Sequence, residues 1–139
     1  MDMMDRLSFE QTKPFSKLCK DIISLDDKVA LVSIINKKGR VIESECSENK
    51  IIENLSHNEL EMLFMQRTLQ TSMIQDLDDK LGKFNIAMIQ RESFTEYVFS
   101  FYGGVILVIL NSHAENNIVN QVSELLNGID AFGKTAFAC

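Results

Sequence analysis

The chain has one proline, six glycines and no tryptophan in 139 residues. So few breakers exclude collagen-like or proline-rich material and leave room for long regular elements. Cysteine is equally scarce. Cys19, Cys46 and Cys139 are an odd number at wide spacing, with no CxxC or Cys-His cluster, so neither a structural zinc site nor a disulfide framework is indicated. Cys19 and Cys46 read as small buried or half-buried thiols, and Cys139 as an exposed one open to intermolecular oxidation. The pattern fits a reducing cytosol. Positive charge is in short supply too: 14 Lys and Arg against 20 Asp and Glu give a net charge of −6. That balance argues against non-specific nucleic-acid binding and against a polybasic membrane contact. Long apolar runs are missing as well. The longest, Phe101 to Leu110, is half of the roughly twenty residues a membrane span needs. Residues 1–8 are acidic and lack the apolar core of a secretory signal, so a cytoplasmic location is expected.

What is present is ordinary in amount: 45% hydrophobic and 24% charged residues, which is enough for one folded domain without a metal or disulfide staple. Residues 1–14 read as a flexible arm ended by Pro14, 15–127 as the domain and 128–139 as a tail. Ser16 is placed to cap a first helix running to about Asp26, with an apolar stripe of Phe15, Leu18, Cys19, Ile22 and Leu25. Val29 to Ile35 is apolar on both faces and β-branched, hence a central strand. Asn36-Lys37-Lys38-Gly39 is a hairpin turn, and Arg40 to Cys46 returns as a half-exposed strand. Ser56-His-Asn-Glu59 is a capping box, stapled by Leu55 and Leu60, that opens a long helix reaching Leu81 and stopped by Gly82. Strands follow at Asn85–Glu92, Thr95–Tyr102 and Val105–Asn111, the last two joined at Gly103-Gly104. Ser112-His-Ala-Glu115 is a second capping box, opening a helix that Gly128 ends. The order α-β-β-α-β-β-β-α is an α+β fold, most simply one antiparallel sheet with helices on its faces.

The long helix has more apolar surface than one core can use. At about 100° per residue, Leu60, Leu63, Ile74, Leu77 and Leu81 share one arc, and Met62, Met65, Leu69 and Met73 a neighbouring one. Only Glu61, Thr68, Gln75 and Asp79 form a polar strip. The strand after this helix, Asn85 to Arg91, has no proline and carries Ile86, Met88 and Gln90, with Ala87 and Ile89 between them. An unprotected edge of this kind pairs with a copy of itself or aggregates. A two-fold homodimer would bury the edge and the methionine arc together, giving a predicted interface of Met62, Met65, Leu69, Met73, Ile86, Met88 and Gln90.

In its element order, its central helix Ser56–Leu81 and the apolar strand directly after it, the chain resembles the roadblock/LC7 group over about residues 15–127. Asp26-Asp27-Lys28-Val29-Ala30, Asn36-Lys37-Lys38-Gly39-Arg40-Val41, Leu63-Phe64-Met65-Gln66 and Leu81-Gly82-Lys83 look like an uncharacterised archaeal roadblock-like family. The resemblance implies a five-stranded sheet of order 2-1-5-4-3, the first and last helices on one face and the central helix on the other. It implies homodimers through the central helix and third strand, and a scaffold or a regulator of a small Ras-like GTPase with no catalytic residues. The other reading of the same architecture is a profilin- or PAS-like sensory domain, with a small ligand held against the aromatic strand.

Chemical motifs are few. Gly128-Ile-Asp-Ala-Phe-Gly-Lys134-Thr135 matches GxxxxGK[ST], but a helix precedes it and four residues follow, whereas a P-loop needs a strand before and a helix after. Gln75-Asp76-Leu77-Asp78-Asp79 reads as a solvated helix face, because it lacks the glycine of an EF-hand loop. His57 and His113 each follow a capping serine, Lys37, Lys38 and Arg40 make a small basic hairpin tip, and Tyr97, Phe99 and Phe101 share one sheet face as core. No catalytic residue, cofactor or metal ligand is assigned.

Overall fold

A computed structural model describes residues 9–47, 54–111 and 117–136, with side chains over 14–47, 54–111 and 117–128. The elements are α1 (Phe9–Ile23), β1 (Val29–Ile35), β2 (Val41–Cys46), α2 (His57–Gln75), the short α3 (Asp78–Leu81), β3 (Ile86–Gln90), β4 (Thr95–Phe101), β5 (Gly104–Leu110) and α4 (Asn117–Ala136). The five strands form one sheet in the order β2-β1-β5-β4-β3, every neighbouring pair antiparallel. This is the α+β architecture expected, with one short helix added.

The sheet is built from its centre outward. β1 and β5 are buried along their whole length, as their richness in Val, Ile and Leu requires. Ser33, the one polar residue of β1, shares a hydrogen bond of 2.9 Å with Ser44 on β2. The β1–β2 turn has Gly39 at φ 83°, and Asn36 Oδ1 accepts from the Lys38 and Arg40 N–H groups. The β4–β5 hairpin turns one residue earlier than the glycine pair suggests. Tyr102 and Gly103 both have positive φ, as a tight two-residue hairpin demands, and Phe101 pairs with Gly104. Gly104 is required for another reason: a Cβ there would fall on the Ile35 carbonyl oxygen.

Two cores result. On one face, α1 and α4 cover Val32, Ile34, Tyr97, Phe99, Phe101, Ile106 and Val108 with Phe15, Leu18, Cys19, Ile22, Ile118 and Val122. Phe15 meets the Phe101 ring edge-on at 5.6 Å. On the other face, α2 covers Leu31, Ile35, Val98, Val105, Leu107 and Ile109 with one fully buried apolar side chain of its own, Phe64.

Helix ends differ most from expectation. α1 begins at Phe9, not at Ser16, so Pro14 lies inside it, at the loss of one backbone bond to the carbonyl four residues back. It ends at Ile23 rather than Asp26. The long central helix breaks after Gln75 and resumes as α3, which Gly82 stops at φ 93° with its N–H on the Asp78 carbonyl. α4 runs through Gly128 to Ala136, so the segment assigned to a tail is largely helical. The second capping box, Ser112 to Glu115 with His113, and Cys139 lie outside the described residues.

Candidate interaction surface

The capping box at the start of α2 forms as its sequence dictates. Ser56 Oγ accepts from the Glu59 N–H at 3.1 Å, and Glu59 Oε1 accepts from the Ser56 N–H at 3.0 Å. The helix then lies on the sheet through Phe64, Arg67, Thr68 and Thr71, with Leu60 and Leu63 half-buried. This stripe is not the one the wheel predicts. Thr68, expected on the polar strip, is buried, whereas Ile74, Leu77 and Leu81, expected in the core arc, are exposed. The cause is local. Each threonine hydroxyl donates to the carbonyl four residues back, Thr68 to Phe64 at 2.9 Å and Thr71 to Arg67 at 2.8 Å. A threonine that satisfies its hydroxyl on its own helix can present its methyl group to a sheet.

Arg67 is the second surprise. Its Nε and Nη2 donate to the two carboxylate oxygens of Glu96 on β4, at 2.7 and 3.3 Å, and Arg91 Nε donates to Glu96 Oε2 at 2.8 Å. The Glu96 side chain is 2% exposed. Burial pushes its pKa up, but the hydrogen bonds and charges of Arg67 and Arg91 outweigh this and hold it below the usual carboxylate range. Sequence reasoning missed this cluster because Arg67 and Glu96 are 29 residues apart and meet only across the α2–sheet contact. The one signal was an arginine at i+3 from Phe64, on the same helix side as that ring.

With polar and small residues turned inward, the second half of α2 turns its apolar residues outward. Met62, Leu69 and Met73 stand opposite the buried stripe, and Met73 is 71% exposed. Met65 lies to one side, over Gly39 of the β1–β2 turn, where its Sδ would sit 2.8 Å from an added Cβ. On the other flank Leu63 lines a cleft with Arg91, Phe94 and Glu96 of the β3–β4 side, Gln70 and Ile74 follow it at helical spacing, and the Gln70 Oε1 is buried without a hydrogen-bond partner among the described residues. β3 is the sheet edge on that side. Its Ala87 and Ile89 pack under α2, while Ile86, Met88 and Gln90 point to the opposite face, beyond the cover of α1 and α4, and are exposed. The seven predicted interface residues are all exposed, four on α2 and three on β3, with Met65 toward the β2 side of the sheet and the β3 residues at the opposite edge. They do not form one flat face, since those of β3 and those of α2 point to opposite sides of the sheet.

Three clefts of comparable size flank these elements. One, of about 360 Å3, lies between the first half of α2 and the start of β4, lined by Leu55, Met62, Leu63, Arg91, Phe94 and Ile109 among others. Another, of about 450 Å3, lies between α2 and the outer strand β2, at Val41, Leu60, Phe64 and Met65. A third, of about 410 Å3, lies beside Phe99, Phe101, Tyr102 and Leu126. This third cleft borders the aromatic strand, whose Tyr97, Phe99 and Phe101 are themselves buried in the core.

The remaining motifs stay apart. Among the described residues no group of His, Cys, Asp and Glu is placed to hold a metal ion, and no helix is long and apolar enough to cross a membrane. Cys19 is buried, and burial, then Glu43 and Glu45, pushes its thiol up to about 12. Cys46 is exposed rather than buried. His57 pairs with Glu61 at 2.9 Å on the helix surface. The backbone of 128–135 is helical, which is not the phosphate-cradling loop its letters imitate. The carboxylate run Gln75–Asp79 straddles the α2–α3 break instead of lying on one turn, and Asp78 Oδ1 accepts from the Phe84 N–H at 3.0 Å.

Comparison with other proteins places the fold. No family model and no curated protein matches the sequence. Solved structures do match. The gliding protein MglB from Thermus thermophilus superposes with a TM-score of 0.72 at 14% identity, over 93% of this chain and 95% of that one. Myxococcus xanthus MglB gives 0.66 at 16% identity, over 91% and 94%. A Roadblock/LC7 domain from Streptomyces avermitilis gives 0.66 at 10% identity, over 84% and 95%. The chain has the roadblock/LC7 fold.

Proposed function

We propose that this roadblock-fold chain is a non-enzymatic, cytoplasmic interaction module that works as a two-fold homodimer and, as a dimer, acts as a scaffold for or regulator of a small Ras-like GTPase. The observation that carries the dimer is the inverted second half of α2. Its sheet-facing residues are Arg67, Thr68 and Thr71, and its outward residues are Leu69, Met73 and Ile74. An apolar row of this kind, beside a bare strand edge, is what an interface looks like before its partner arrives. Pairing of β3 with a copy of itself would continue the sheet and bring the Leu63–Gln70–Ile74 flanks of two α2 helices together, giving the buried Gln70 oxygen a partner within reach.

The GTPase is drawn from the roadblock resemblance and from no residue pattern of this chain. Its test is retention of purified Ras-like GTPases, loaded with GDP or with a non-hydrolysable GTP analogue, on immobilised protein. The expected result is retention that depends on the nucleotide and is lost in Met62→Glu/Leu69→Glu. Absence of retention in both nucleotide states, with the dimer intact, would remove the GTPase and leave the scaffold.

A further inference from the structure

The cleft beside Arg91 and the segment around α3 have matching chemistry. The cleft walls are mainly apolar, from Leu55, Leu63, Phe94 and Ile109, and Arg91 stands at the rim. Arg91 uses its Nε on Glu96, yet its side chain is 55% exposed, which leaves the outer nitrogens of its fork for a second anion. The α3 segment reads Asp76-Leu77-Asp78-Asp79-Lys80-Leu81. Leu77 and Leu81 are exposed, Leu81 by 79%. Asp78 is engaged with the Phe84 N–H, whereas Asp76 and Asp79 lie on the surface. Two bare leucines set among carboxylates complement an apolar cleft with an arginine at its rim.

Within one chain the two cannot meet. The α3 segment leads into β3 and Arg91 follows it, so they stand at opposite ends of a strand about 17 Å long. A second copy removes the separation. If β3 pairs antiparallel with itself about its middle residue, Met88, each Arg91 lies opposite the partner's Asn85, four residues after Leu81 in that chain. The two-fold axis is then perpendicular to the sheet, so both α3 segments lie on the face that carries both clefts.

The geometry points to a socket: in the homodimer, the cleft of each protomer receives the α3 segment of the other, with a leucine on the apolar walls and Asp76 or Asp79 on Arg91. This rests on the dimer proposed above and adds to it. The contact occurs twice, away from the axis, and a slip of β3 by one pairing step would lose both copies, so the socket sets the register of the strand pair.

Charge reversal with rescue tests it, read as the dimer dissociation constant by analytical ultracentrifugation. Asp76→Lys/Asp79→Lys and Arg91→Glu are each expected to weaken the dimer by about tenfold or more, since each breaks two symmetry-related pairs. The chain carrying all three changes is expected to return to within about threefold of wild type. Because Arg91→Glu sets a carboxylate beside Glu96, the Asp76→Lys/Asp79→Lys chain, altered only at exposed positions, stands as the independent arm. An unchanged dissociation constant in that folded variant, or a triple variant weakened by the product of the two effects, would overturn the socket and leave the dimer standing. A monomeric wild type would overturn both. Hydrogen exchange gives a second readout: slower exchange around Leu55 and Phe94 on dimerisation supports the socket. Exchange there that ignores dimerisation, as when a small molecule or residues 48–53 of the same chain fill the cleft, contradicts it.

Discussion

The two faces of the sheet are covered in opposite ways. Under α1 and α4, the helices bring Phe15, Leu18, Ile22, Ile118 and Val122 down onto Tyr97, Phe99 and Phe101, and apolar meets apolar throughout. Under α2 one phenylalanine is followed by Arg67, Thr68 and Thr71, and the helix keeps Leu69, Ile74 and its methionines on the outside. The first face is complete in one chain. The second spends part of its hydrophobic composition on a surface, and what holds it down includes a buried ion cluster and two threonines bonded to their own helix. A helix can thus be essential to a fold and still present its more apolar side to something else.

Substitutions that break this contrast rank by size. On the closed face, Phe15→Ala removes a wholly buried ring and its edge contact with Phe101, and is expected to lower unfolding free energy by about 3–5 kcal/mol in a denaturant titration. On the α2 face, Glu96→Ala leaves Arg67 buried and unpaired, at a cost of about 3 kcal/mol, whereas replacing the pair together, Arg67→Met/Glu96→Leu, is expected to recover most of that loss. Acid probes the same cluster without mutation. The folded Glu96 pKa lies below its unfolded value, so the stabilisation is complete above the ordinary glutamate range and is lost as pH falls through the folded pKa. The acid limb of a stability curve is therefore expected to flatten in the Arg67→Met/Glu96→Leu chain. The smallest effect on folding belongs to the outward row. Leu69→Glu/Met73→Glu is expected to change monomer unfolding by less than about 0.5 kcal/mol while abolishing association, a combination the closed face cannot produce.

Much of this was legible in the residues. The apolar runs rich in β-branched residues marked β1 and β5, Ser56 and Glu59 marked the start of α2, and alternation put Tyr97, Phe99 and Phe101 on one covered face. The surplus of apolar surface on the long helix was legible as well, though its angular placement was not. A wheel sorts residues by polarity, and here Thr68, Thr71 and Arg67 go inward because their polar groups find partners, two on the same helix and one on a distant strand. The break after Gln75 and the continuation of α4 through Gly128 escaped for a related reason: neither a run of acids nor a lone glycine must end a helix.

If the outward α2 row and the β3 edge belong to two chains, the mass in solution must show it. Multi-angle light scattering on the wild-type protein at micromolar concentration reads that mass. The expected value is twice 15.8 kDa, falling to 15.8 kDa in Leu69→Glu/Met73→Glu. A wild-type mass of 15.8 kDa, with Met73 and Leu69 as exposed as they are here, would contradict the two-chain reading.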